Sequence, residues 1–197
     1  MTDKTKTCFV IAPIGNANSP DMKRSDDTFK YIFEPATKEC GYTASRADRL
    51  ADPGRITDQI IQHILHDDLV IADLSGHNPN VFYELAACHA FQRPFVLVYD
   101  PKETLPFDVF DLRSVPLVPD DLDSSAKCKG AIVAQIRAVE SNPAGVKTPI
   151  GDVANLEALT RSASEQDAVM AQIVRWPRAV SRRDGMSLSG FQQITGT

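Results

Sequence analysis

No stretch of the 197 residues approaches the roughly 18 consecutive apolar positions of a membrane-spanning helix, so a membrane partner is not expected. The opening MTDKTKTCFVIAPIG has only about six apolar residues before Pro13, too few for the apolar segment of a signal peptide. Placement in the cytoplasm is the expectation. Cysteine is scarce and scattered: Cys8, Cys40, Cys88 and Cys128 form no CxxC or knuckle spacing, which argues for free thiols over zinc or disulfides. Basic residues are outnumbered, 21 against 26 acidic, for a net charge of −5. That balance argues against direct nucleic-acid binding, which normally needs a basic surface. Arg46, Arg49 and Arg55 are the candidates for a local basic patch. There is no GxGxxG fingerprint and no P-loop, and His63 and His66 lack an HExxH context. No metal and no cofactor is therefore expected. Internal repeats and low-complexity tracts are also missing.

What remains is ordinary globular composition, 43% hydrophobic and 24% charged, in a chain long enough for one well-buried domain with a modest appendage. Thr7–Ala12 is a short apolar run stopped by Pro13 and Gly15, the pattern of a buried central strand. The following PIGNANSPDMKRSDD reads as a long loop. Asp27–Cys40 has helical spacing, and Pro35 inside it predicts a kink or interruption. A second strand at Tyr42–Ala47 precedes a polar loop. The stretch from Arg55, with Ile56, Ile60, Ile61 and Ile64, is the clearest amphipathic helix. Strands at Leu69–Ala72 and Pro94–Tyr99 bracket a helix at Asn80–Phe91, with a short fifth strand at Ser114–Val118 and a helix at Ser124–Glu140. Alternation of strand and helix at short intervals predicts an α/β fold with a parallel sheet of about five strands. Residues 1–145 would form that domain, and residues 146–197 a helical extension, with a helix at Asn155–Trp176, and a polar tail.

The chemistry concentrates in LVIADLSGHNPNVFYELAACHA, Leu69 to Ala90. An apolar strand ends in Asp73, a polar turn follows, and a helix opens that carries Glu84 among apolar neighbours. In open α/β sheets ligands sit at the carboxyl ends of strands, which is where both carboxylates would lie. Burial would raise the pKa of Glu84 and the positive helix start would lower it; the winner decides whether it serves as nucleophile or base, or is merely a solvated acid. Asp73 fits either a ligand acceptor or an Asx turn. Asn78 suits an N-cap with Pro79 at the first helical position, and its amide would also reach the same pocket. His77 reads as a solvated loop residue and His89 as a buried or partner-facing one. Pro13, Ile14 and Gly15 follow the first strand at the same rim, where backbone amides can meet a ligand. Ser75, Gly76 and Asn80 complete the candidate binding set, with Arg46 as a candidate phosphate contact after strand two.

With these residues in view, the chain resembles the nucleoside 2-deoxyribosyltransferase-like superfamily, itself distantly related to Toll/interleukin-1 receptor-like NAD hydrolases. The matching pieces are CFVIAPIG, then RADRLADPGRITDQIIQHILHDDLVIADLSGHNPNVFYELAACHA, and FVLVYD, together spanning roughly residues 7 to 118. The resemblance implies a flavodoxin-like sheet with helices on both faces. It also implies cleavage or exchange of the N-glycosidic bond of a nucleoside, nucleotide or NAD. Glu84 would be the nucleophile and Asp73 would position the substrate. Asn78 stands where the transferases usually carry an acid, and the expected tyrosine after strand one is missing, which favours hydrolysis over base exchange. Relatives of this kind occur as modules of bacterial defence or signalling proteins, and a homo-oligomer is expected. The alternatives are a non-catalytic nucleotide sensor using the same pocket and a pure interaction domain.

Overall fold

The computed structural model describes residues 5–16, 19–49, 55–118, 121–146, 148 and 150–153. The chain divides into two units, Met1–Gly151 and Asp152–Thr197, and everything below concerns the first. The helix expected at 155–176 lies outside the described residues.

Five strands form one sheet: β1 (Lys6–Ile11), β2 (Tyr42–Arg46), β3 (Leu69–Asp73), β4 (Phe95–Tyr99) and β5 (Ser114–Pro116). All neighbouring pairs are parallel, in the order β2-β1-β3-β4-β5. β3 is buried at every position, as a strand covered on both faces must be. One face is covered by Phe29, Ile32 and Phe33 together with Ile132 and Ile136 of α5 (Leu122–Ser141). The other is covered by Ile60 and Ile64 of α3 (Ile56–His66) and by Val81 and Leu85 of α4 (Pro79–Ala90). This is the flavodoxin-like arrangement. Its strand order reverses between β1 and β3, and such a switch point opens a crevice beyond the carboxyl ends of those strands. No helix among the described residues is long and apolar enough to cross a membrane.

The stretch after β1 departs from expectation. Its second half is helix α1 (Pro20–Thr28), capped by Ser19, whose hydroxyl accepts from the Met22 N–H at 3.1 Å. Helix therefore begins seven residues before the expected Asp27. The composition PDMKRSDDT hid it, because only Ser25 and Thr28 of this helix are buried and no apolar stripe exists to be read. A π-helical turn at Phe29–Phe33 continues directly into α2 (Glu34–Glu39). The Glu34 N–H bonds back to Phe29, five residues away, immediately before Pro35, which has no N–H to offer. The interruption expected at Pro35 thus takes the form of a widened turn within one helical run.

Candidate active site

β3 carries Asp73 as its last residue, directly opposite Val98 of β4, and the chain then turns sharply. Asp73 is 1% exposed. Its Oδ1 accepts the Ser75 N–H at 3.0 Å, the Asx turn that sequence allowed. Its Oδ2 is buried and has no hydrogen-bond partner. The turn reading of Asp73 therefore holds for one oxygen, and the other is left without a partner. Burial pushes this carboxyl above the usual range, while the nearness of Ser75 and the Arg24 guanidinium pulls it back.

Arg24 is a residue that sequence reasoning missed. It sits on α1, and its Nη1 stands 3.9 Å from Asp73 Oδ2, an ion pair too long to be a hydrogen bond. Its Nη2 is buried without a partner, and so is the Ser75 hydroxyl. The only early signal for Arg24 was the Ser19-Pro20-Asp21 helix start, a cap followed by proline and an acid.

The turn after Asp73 is built on positive φ at Gly76 (73°) and His77 (48°). The first is natural for glycine; at the second a side chain tolerates the left-handed region less readily. Gly76 donates its N–H to Glu103 Oε2 at 2.8 Å, and His77 Nε2 lies 3.8 Å from the same carboxylate. Glu103, also unforeseen, ties the segment after β4 to this rim and adds negative charge near Asp73. Asn78 caps α4, its Oδ1 accepting from the Asn80 N–H at 2.9 Å; Pro79 and Asn80 are exposed.

Glu84 follows Val81 by three residues and precedes Cys88 by four, and both of those are buried. Helical spacing places it beside that buried face of α4, where it is half-buried. Burial raises its pKa to about 7, with no opposing charge among the causes. His89, five residues on, is buried with Nε2 unpartnered and packs its ring 4.9 Å from that of Phe95, and burial lowers its pKa to about 4.

Past β1, Pro13 and Gly15 are half-buried and Ile14 is exposed. A Cβ on Gly15 would meet Ser19 Oγ at 2.4 Å and Met22 N at 2.9 Å, so only glycine lets this loop lie against the start of α1.

Arg46 requires a correction. It is the last residue of β2, wholly buried, and its guanidinium is consumed internally. It donates to Asp48 at 2.6 and 2.7 Å, to Ser25 Oγ at 2.9 Å, and to Asp26. No donor faces outward, so it braces β2 to α1 instead of contacting phosphate. Arg49 likewise lies over the Phe29 ring at 4.2 Å.

Two clefts of about 330 and 390 Å³ open at the opposite end of the sheet, one lined by Phe95, Arg113 and Asn142 and the other by Lys6, Tyr42 and Glu140. In the second, Lys6 and Tyr42 are both satisfied by Glu140, at 2.6 and 2.9 Å. Neither is lined by any of the orphaned polar atoms of the rim. Three buried polar atoms without partners, on Arg24, Asp73 and Ser75, lie instead at the rim of the β1/β3 switch point.

No family model matches the chain, and no curated protein matches it. Among solved structures it is similar to that of a CMP N-glycosidase from Clostridium botulinum, BcmB. The TM-score is 0.47 at 16% identity, over 66% of this chain and 99% of that one.

Proposed function

We propose that this protein is an N-glycosidase that breaks the bond between the sugar C1′ and the base of a nucleoside or nucleotide, with Glu84 as nucleophile. The observation that carries this reading is Glu84, half-buried beside the core-facing residues of α4, with its pKa raised to about 7 by burial. A group so poised is substantially ionised at neutral pH yet poorly solvated, which makes it a better nucleophile than an exposed acid. Attack by a Glu84 oxygen on C1′ forms a glycosyl ester as the C1′–N bond breaks. The base departs with the bonding electrons and takes a proton from water. A second water then attacks C1′, the ester bond breaks, Glu84 returns as a carboxylate, and one proton is released. Developing positive charge on the sugar is offset by the carboxylates, as in retaining glycosidases. Asp73 and its neighbours would hold the sugar in place.

The test is mass-spectrometric product analysis with nucleosides, nucleoside monophosphates and NAD, comparing wild type with Glu84→Gln. Free base from the wild type is expected, with a loss of at least about a thousandfold in the variant. Unchanged turnover in Glu84→Gln would remove Glu84 from the mechanism. Tight binding without any release of base would leave a nucleotide-binding module instead of a hydrolase.

A further inference from the structure

Three polar atoms are left over at the switch point: Arg24 Nη2, Asp73 Oδ2 and Ser75 Oγ, each buried and without a hydrogen-bond partner. Asp73 and Ser75 are each 1% exposed, so bulk solvent does not satisfy them. Leaving such atoms unmatched costs roughly 1–3 kcal/mol apiece, which a fold tolerates where a ligand completes the set. We infer that Arg24, Asp73 and Ser75 together read the vicinal diol of a ribosyl group, so that the site selects ribonucleotides over 2′-deoxyribonucleotides. The inference rests on the proposed N-glycosidase reading and specifies its substrate class.

The set consists of a donor, an acceptor and a hydroxyl that is both. Two adjacent sugar hydroxyls, each able to donate and accept, complement it fully. Distance agrees. Arg24 Nη1 and Asp73 Oδ2 are 3.9 Å apart, so one oxygen about 2.8 Å from each would see them at about 90°, a workable hydroxyl geometry. That hydroxyl accepts from Arg24 and donates to Asp73. A second hydroxyl one carbon away is within reach of Ser75, which lies two residues on and is tied to Asp73 by the Asx turn. An ionised phosphate fits less well. It offers acceptors alone, suiting Arg24 and Ser75, but it would bring negative charge against a buried carboxylate. Glu103, which adds further negative charge near Asp73, weighs the same way. Nor does this set resemble Arg46, whose three guanidinium nitrogens all donate inside the protein.

Equilibrium dialysis tests the inference with the full-length Glu84→Gln protein, so that binding is measured apart from turnover. The probes are the four ribonucleoside monophosphates, their 2′-deoxy and 3′-deoxy counterparts, the parent nucleosides, and inorganic phosphate. The expected result is at least about tenfold tighter binding of a ribonucleotide than of either deoxy form. A second change, Arg24→Met, should bring that ratio close to one; because the Arg24 side chain is about one-third exposed, the fold should survive it. Ser75→Ala should narrow the ratio in the same direction. Equal binding of ribo and deoxy forms overturns the inference, as does failure to bind any of them. So does an Arg24→Met protein that loses only phosphate binding and keeps the sugar preference. Release of base by wild type without ribo selectivity would leave the N-glycosidase reading standing and remove this one alone.

Discussion

At the scale of single residues, the group that matters is Glu84, where burial lifts the pKa to about 7. Two consequences follow with opposite signs. Nucleophilic attack needs the carboxylate, so kcat/KM should rise as pH increases through about 7 and level off above it; a flat profile from pH 5 to 8 would count against Glu84 as the reacting group. Stability moves the other way. The folded-state pKa lies above the ordinary glutamate value of 4.5, so the folded form binds the extra proton and loses stability as pH rises from 4.5 through 7. Glu84→Gln removes that penalty. Its melting temperature should exceed that of wild type at pH 8 and match it near pH 4, as read by thermal unfolding at both pH values. A higher melting temperature together with lost turnover is the signature of an acid kept buried for chemistry rather than for packing.

At the scale of elements, the piece that builds the site is the β1–α1 connection. Ser19 caps α1, Gly15 lies against that cap, and the helix delivers Arg24 to Asp73. Gly15→Ala would drive a Cβ to 2.9 Å from the Met22 backbone nitrogen, which cannot swing away as a side chain could. The expected cost is about 1–3 kcal/mol, read by urea unfolding, with weakened ligand binding because α1 must shift. Ser19→Ala removes only the cap and should cost about 1 kcal/mol with binding largely kept. Equal, small effects from both changes would show that the close approach at Gly15 is unimportant. The π turn before Pro35 belongs to this scale too: it absorbs the missing N–H and lets α1 and α2 cover one sheet face as a continuous run.

At the scale of the whole molecule, Arg46 joins the end of β2 to α1 through Ser25, Asp26 and Asp48. Its guanidinium is 0% exposed, so removing it leaves a void and takes the partner from the buried Ser25 hydroxyl. Arg46→Ala is expected to destabilise the protein by about 3 kcal/mol in denaturant titration. Arg49→Ala, at an exposed position resting on Phe29, should cost well under half of that. Comparable losses would mean that the buried network contributes little beyond surface stacking.

How much of this was legible in the chain follows from which forces act locally. Strand and helix alternation, the apolar runs of β1, β3 and β4, and the cap at Asn78 are written in short-range pattern and turn chemistry, and they emerge in place within a residue or two. The sharp turn after Asp73 was legible for the same reason. The polar helix α1 was not, because its pattern lacks an apolar stripe, and with it Arg24 went unseen. Arg46 looked like a loop cation because charge in a sequence says nothing about burial. Sequence by itself determined the α/β class, the sheet and Asp73 at the end of β3, since hydrophobic periodicity and turn residues specify elements and their order. Only the tertiary structure decided which arginine faces Asp73, which is locked in a buried brace, and how far burial raises the pKa of Glu84. Desolvation and pairing depend on neighbours far along the chain, and those neighbours are assigned by packing.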